Sequence, residues 1–473
     1  MLFSSGTFWA LFLLFLPAYA WVATRRSRTV MVLFVLIFSF FFYYKSSGAF
    51  VVLLAATSVI DWTLSKVIAR SSSRAMRRGC VALSLTFSLG VLAYFKYANF
   101  FLMNLSAMVG SNFQPLELVL PVGISFYTFQ SISYVIDVYK GTIQPTRRWI
   151  DYAFFLSFFP ALVAGPIVRA KDFLHQIATH RPASRPDLYF GFWLVLLGIV
   201  KKAIIADYIA QYNDLIFGNP TGYNAFETLM GIIGYTMQIY CDFSGYSDMA
   251  IGLALIMGFR LNENFNFPYK SRNLTDFWRR WHISLSTWLR DYIYIPLGGN
   301  RKGTRRTYAN NMATMLIGGL WHGAAWKFVF WGGMHGAGLA IHKASKPYLG
   351  PWSDTRAFRI FSWLITMTFV ACLWVFFRAD TWEASWLVIR QVFVGDWPGF
   401  AGVQAFASAR MLWLIIMILI IIAHALPTGF WPAAGRLFVR APLWAKLLIF
   451  ILVVQTVLQL QGEDVAPFIY FQF

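Results

Sequence analysis

Residues 7–24 contain no charged side chain, and neither do residues 29–44; Arg25, Arg26 and Arg28 stand between them. Such runs recur along the chain. A helix rises 1.5 Å per residue, so about 20 apolar residues cross the hydrocarbon core of a bilayer. Candidate spans lie at roughly 7–24, 29–44, 48–69, 79–103, 117–137, 188–209, 225–240, 244–258, 308–326, 328–345, 360–377, 408–427 and 443–461. Several are short or interrupted, which sets the expected number at about eleven to thirteen. Barrel strands would instead alternate apolar and polar residues over about ten positions. The chain therefore reads as an all-α polytopic membrane protein. Its composition agrees: 58% of residues are hydrophobic and 13% charged, against about 25% charged in soluble domains.

The formal net charge is +20. In a soluble protein this would suggest nucleic acid. Here the basic residues gather between apolar runs, as in cytoplasmic loops. Arg25, Arg26 and Arg28 are expected inside, Lys45 outside, and Arg70, Arg74, Arg77 and Arg78 inside again. A second inside marker is Arg301, Lys302, Arg305 and Arg306. Ala18-Tyr19-Ala20 resembles a signal cleavage site, but the basic cluster follows the apolar run instead of preceding it. That order predicts a retained first helix with its N-terminus outside. Trp and Tyr, numerous here, suit the membrane–water interface. Cys80, Cys241 and Cys372 have no metal-ligand spacing and read as packing residues.

Two apolar stretches are broken by glycine and proline: Phe158 to Pro166, and Leu261 to Tyr294. Irregular backbone at membrane depth survives only where protein or water satisfies it. They are expected as re-entrant or in-plane elements lining a cavity; interfacial loops are the alternative. With no internal repeat and no long soluble segment, residues 1–473 read as one membrane domain. Its parts are N-terminal helices at 1–115, a core at 116–345 carrying the polar motifs, and C-terminal helices at 346–473.

Seven histidines are available for chemistry. His175 and His180 sit in a polar stretch and are expected as solvated loop residues; His424 is expected to be structural. His322 differs, because no charge lies between Arg306 and Lys327. An ionisable group in such a segment by default marks a functional site facing the protein interior; a hydrogen-bonded core histidine is the alternative. Gly318, Gly319 and Gly323 would let another backbone or a thin substrate approach. His282 follows Trp278-Arg279-Arg280-Trp281. On a helix Trp278, Trp281 and His282 share one face, while Arg279 and Arg280 face elsewhere and suit phosphates; an interfacial helix is the alternative. His335 and His342 share a helix face. No metal site is expected, and His335 reads as a support for His322.

Trp278-Arg279-Arg280-Trp281-His282, forty positions before Trp321-His322-Gly323, resembles the signature of the membrane-bound O-acyltransferase superfamily. Pro121 to Gln130, Phe158-Phe159-Pro160 with Ala164-Gly165-Pro166, and Tyr240 to Asp248 resemble its bacterial branch, as does Phe468 to Phe473. The match is closest to the alginate O-acetyltransferase type. The resemblance implies a ring of tilted helices around a central funnel, in a bacterial inner membrane. The acyl donor would enter from the cytoplasm and the acceptor from the other face. His322 matches the family's catalytic histidine. His282 matches a second position, which holds Asn in many lipid-modifying members. Trp278, Arg279, Arg280, Trp281, Trp321 and His335, with Asp242 and Ser244 of the Tyr240–Asp248 motif, become candidate substrate contacts.

The chemistry fits. A hydroxyl is a weak nucleophile until a base takes its proton, and neutral imidazole, with an ordinary pKa of about 6.5, suits that task. The thioester carbonyl needs an oxyanion partner, either His282 or a backbone N–H; a covalent acyl-histidine is a further route. The expected donor is acetyl-CoA, with no tightly bound cofactor, its phosphates meeting Arg279, Arg280, Arg301 and Lys302. The expected acceptor is an extracytoplasmic polysaccharide such as alginate, reached through a periplasmic or surface acetyltransferase partner. Alternatives are a D-alanyl or peptidoglycan acyl transfer protein of the cell wall and, from another class, a transporter with a histidine relay or a membrane scaffold. A transporter would favour inverted repeats, which the sequence lacks.

Overall fold

The computed structural model describes residues 3 and 5–460, which are helical with no strand among them; the motif at Phe468–Phe473 lies outside the described residues. Short polar side chains start the helices. Ser5, Ser73, Thr355 and Thr381 each accept a bond from the backbone N–H three residues on, satisfying a donor the helix itself leaves open. Gly48, at φ 59°, separates the helix Arg28–Ser47 from Val51–Arg70.

By length and composition, six described helical stretches can cross a membrane: Gly6–Arg25, Arg28–Arg70, Arg74–Val109, Arg185–Gly218, Arg356–Arg378 and Leu443–Leu460. Phe400–Ala409 and Met411–Ala425, bent by 89°, add a seventh if counted as one span. The other expected spans fall in less apolar helices. Ile124–Lys140 buries Ser125, Thr128, Gln130, Ser131, Ser133 and Asp137. A helix wrapped by protein needs hydrogen-bond partners more than an apolar surface. The expected break between 240 and 244 is absent, since Ala225–Ile256 is one helix of 32 residues. No proline interrupts it, and Asp242, Ser244 and Ser247 are buried against protein.

The chain forms two compact units, Met1–Val195 with Tyr246–Asn262, and Leu196–Gly245 with Glu263–Phe473. In the first, Asp61 is fully buried and accepts bonds from the Ser84 hydroxyl at 2.6 Å, the Tyr152 hydroxyl at 3.1 Å and the Ser131 hydroxyl. One carboxylate thus ties four helices. Residues 151–170, which include the Phe158–Pro166 stretch, are buried throughout, so this stretch is not an interfacial loop. A Cβ on Gly123 would lie 2.6 Å from the Leu162 oxygen. His180 is not a free loop residue either. Its Nε2 lies 3.0 Å from both the Tyr19 hydroxyl and the Met257 carbonyl.

In the second unit, two short helices, Leu274–Arg280 and Ile283–Leu289, precede a π-helical turn at Arg290–Tyr294. A helical hairpin follows, Gly303–His322 and Trp326–Ser345. Glycines set its spacing. A Cβ on Gly319 would lie 2.2 Å from the Phe328 oxygen, and one on Gly332 2.3 Å from the Met315 oxygen. By contrast, a Cβ on Gly333 would meet only Leu316, at 3.4 Å.

Gly332→Val should therefore force the hairpin apart, costing about 1–3 kcal/mol or more, while Gly333→Ala is tolerated. Thermal unfolding of the two detergent-purified variants checks this; equal melting temperatures would contradict the close packing.

Candidate active site

His322 occupies the last turn of the first hairpin helix, and the chain reverses directly after it. A Cβ on Gly323 would fall 2.1 Å from the Phe328 ring, so the turn admits no side chain there. His322 is buried, with Trp321, Trp331 and Phe377 around it at ring-centroid distances of 5.0, 5.1 and 5.2 Å. Trp331 belongs to the returning helix. Its other side meets His335, one turn further along, at 4.6 Å. The fully buried His335 ring also stacks on Phe277 at 6.2 Å and meets Trp278 at 5.1 Å. Neither of its ring nitrogens hydrogen-bonds a described residue. Its support of His322 is thus ring packing through Trp331, not a hydrogen bond.

The expected helical face of Trp278, Trp281 and His282 does not form. The helix Leu274–Arg280 ends first; Trp281 is extended, and His282 is left-handed at φ 43°, ψ 56°. Asn264 supplies the physical reason. Its side-chain oxygen accepts from the Ser284 backbone N–H at 3.1 Å and the Ser284 hydroxyl at 2.8 Å, and lies 3.2 Å from His282 Nδ1. Its backbone oxygen accepts from Ile283 N–H at 2.9 Å. These bonds hold a kink that costs a non-glycine residue of order 1–3 kcal/mol. Trp281 turns into a buried stack with Phe277 and Trp374, at 5.7 and 4.8 Å. His282, fully buried, meets Phe243 at 4.6 Å and Trp321 at 6.0 Å. The rings therefore alternate in a row: His282, Trp321, His322, Trp331, His335.

A cavity of about 590 Å³ has Trp278 in its wall, and Trp278 in turn packs against Trp331 and His335 of this row. Arg279, Arg290 and Lys343 also line it, together with Thr275, Ser286, Thr287 and Asn311, and no lining residue is acidic. Of the expected phosphate contacts only Arg279 is in this wall. Arg280 is held by Asp276 at 3.0 Å and donates to the Asn266 carbonyl. Arg301 and Lys302 are exposed on the turn before the hairpin. Arg290, paired to Asp291 at 2.7 Å, and Lys343, whose ammonium lies 5.8 Å from the centre of the Tyr294 ring, take their place.

Asp242 and Ser244 do not line the cavity. Asp242 is ion-paired with the buried Lys202, which also holds Asp207 at 2.8 Å. That motif reaches the histidines through Phe243 instead. His424 is structural, as expected: its Nε2 accepts from the Tyr269 backbone N–H at 3.2 Å. Sequence reading passed over Asn264, Phe243, Phe377, Arg290 and Lys343. None carries a local signal: Asn264, for one, stands among Asn262, Glu263 and Asn266 with nothing to single it out.

Residues 146–381, which hold every group in this row and cavity, match the membrane-bound O-acyltransferase family. Over its whole length the chain is 39% identical to a protein of Azotobacter vinelandii named probable alginate O-acetylase, all of which it covers. The chain belongs to the membrane-bound O-acyltransferase family. It is 44% identical to the Pseudomonas aeruginosa protein of the same name, over 84% of this chain and 76% of that one. It is 38% identical to the peptidoglycan O-acetyltransferase of Helicobacter pylori, over 71% and 69% of the two chains. It is thus a multi-pass membrane O-acyltransferase.

Breaking a buried ion pair from one side costs about 3–5 kcal/mol. Lys202→Met should therefore lower the melting temperature sharply, by leaving Asp207 and Asp242 uncompensated. Unchanged melting, with a raised KM for the acceptor in Asp242→Asn, would instead return Asp242 to the substrate.

Proposed function

We propose that this membrane O-acyltransferase moves acetyl groups from cytoplasmic acetyl-CoA to an extracytoplasmic polysaccharide, handing them to a periplasmic or surface partner. One observation carries the reading: a cavity lined by Arg279, Arg290 and Lys343 has Trp278 in its wall, and Trp278 packs against the row that contains His322. Cavities of about 300–1,000 Å³ suit small ligands. Arg279 and Lys343, with Arg290 beside them still paired to Asp291, suit a phosphate-rich one. The names of the relatives favour acetyl as the acyl group and a glycan as its destination.

In this reading Arg279, Arg290 and Lys343 hold the phosphates, and the thioester arm extends past Trp278. The acceptor hydroxyl attacks the carbonyl carbon while its proton passes to His322. The new C–O bond forms, the C–S bond breaks, and the proton leaves on sulfur as coenzyme A thiol. A site at membrane depth follows from the task, because donor and product lie on opposite faces. The basic loop at Arg301–Arg306 is then cytoplasmic, the N-terminus is outside and the membrane is the bacterial inner one.

His322→Ala should purify as a monodisperse species and lose about 10²–10⁴ in rate, the usual contribution of a general base. Near wild-type turnover of labelled acetyl-CoA would remove His322 from the chemistry. Reversing Arg290 and Lys343 to Glu should raise the KM for acetyl-CoA more than it lowers kcat, since phosphate contacts act mainly on ground-state binding. An unchanged KM would move the donor elsewhere. Deleting the gene should remove ester-linked acetyl from envelope polysaccharide; loss of D-alanyl esters, or of acetyl from peptidoglycan alone, would select a cell-wall acceptor.

A further inference from the structure

The oxygen and nitrogen of an asparagine amide look alike, and so do the two tautomers of a neutral imidazole; the bonds around Asn264 settle both. The side-chain atom nearest His282 Nδ1 also receives the Ser284 backbone N–H at 3.1 Å. A backbone N–H only donates, so that atom is the amide oxygen. The Ser284 hydroxyl, 2.8 Å from the same oxygen, spends its proton there as well. An oxygen only accepts, so the neighbouring Nδ1 at 3.2 Å must carry the ring proton. The Ser284 hydroxyl oxygen, at 3.5 Å, then faces an N–H and not a second lone pair.

We infer that Asn264 is a positioning residue that fixes His282 in its Nδ1–H tautomer, so that His282 enters the reaction as an acceptor at Nε2 and not as the oxyanion donor. This rests on the acyl-transfer reading above and narrows it. Neutral imidazole has one N–H, and here that N–H is committed to Asn264. Nε2 offers a lone pair, which can orient a hydroxyl or take its proton but cannot stabilise a developing oxyanion. The oxyanion must then be met by another N–H. The backbone agrees with a built device. His282 is one of two non-glycine residues with positive φ among the described residues, and Asn264 bonds the three consecutive residues that carry the kink.

The test uses full-length protein with ¹⁵N-labelled imidazoles in detergent, the His282 signals being identified by their loss in His282→Gln. The expected spectrum is a neutral ring protonated at Nδ1. In Asn264→Ala the proton should no longer be confined to Nδ1, and kcat should fall about 10–100-fold, as when the partner that orients a metal-bound histidine is removed, with KM for acetyl-CoA unchanged. Asn264→Asp keeps an acceptor oxygen in place and should retain the Nδ1–H signature and most of kcat. A wild-type ring protonated at Nε2, or an Asn264→Ala protein with wild-type kcat, overturns the inference. The wild-type spectrum decides even if the alanine variant does not fold. Absence of transfer from acetyl-CoA by the wild-type protein would overturn the acyl-transfer reading instead, leaving the His282 spectrum to stand or fall alone.

Discussion

A backbone inside a bilayer has no water to bond with, so every N–H and C=O must find a partner in the protein. The site depends on this constraint. A helix meets it by itself; a kink does not. At His282 the chain leaves helical geometry in a buried position, and Asn264 takes up the groups that the kink exposes. Without that bonding the segment would run on as a helix, and Trp281 and His282 would share the face of Trp278. The irregular backbone is what separates the three rings and sends them to different neighbours.

Close backbone packing does the remaining placement. Gly319 and Gly332 bring the two hairpin helices to a distance that any side chain would prevent. At that spacing Trp331 reaches both His322 and His335, and Trp321 reaches both His322 and His282. Aromatic rings in such contacts are stiff, having few rotamers and full burial, so the imidazoles are held without a web of ion pairs. Charge is concentrated elsewhere, in the cavity wall at Arg279, Arg290 and Lys343. The separation is compatible with the proposed reaction, in which the cations would hold the donor and the buried imidazoles would meet the acyl group.

Much of this was legible in the chain alone. Apolar runs punctuated by arginine clusters determine an all-α membrane protein, because bilayer thickness and backbone satisfaction are local requirements that each segment meets or fails by itself. His322 stood out for the same reason, as an ionisable group in a stretch otherwise free of charge. The motifs around it carried the family. Periodicity misled at His282, where a helical face was the natural reading of Trp278, Trp281 and His282 and a distant asparagine overrode it.

What tertiary structure alone decided is which polar residues serve the site and which serve the fold. Asp242 looks like a ligand for substrate until Lys202, forty positions earlier, is found beside it. Arg280 looks equivalent to Arg279 until Asp276 takes it. Arg290 and Lys343 carry no local mark, yet they share one wall. A side chain's chemistry is written at its own position. Its availability depends on what packs against it, and those partners come from segments that sequence spacing cannot pair.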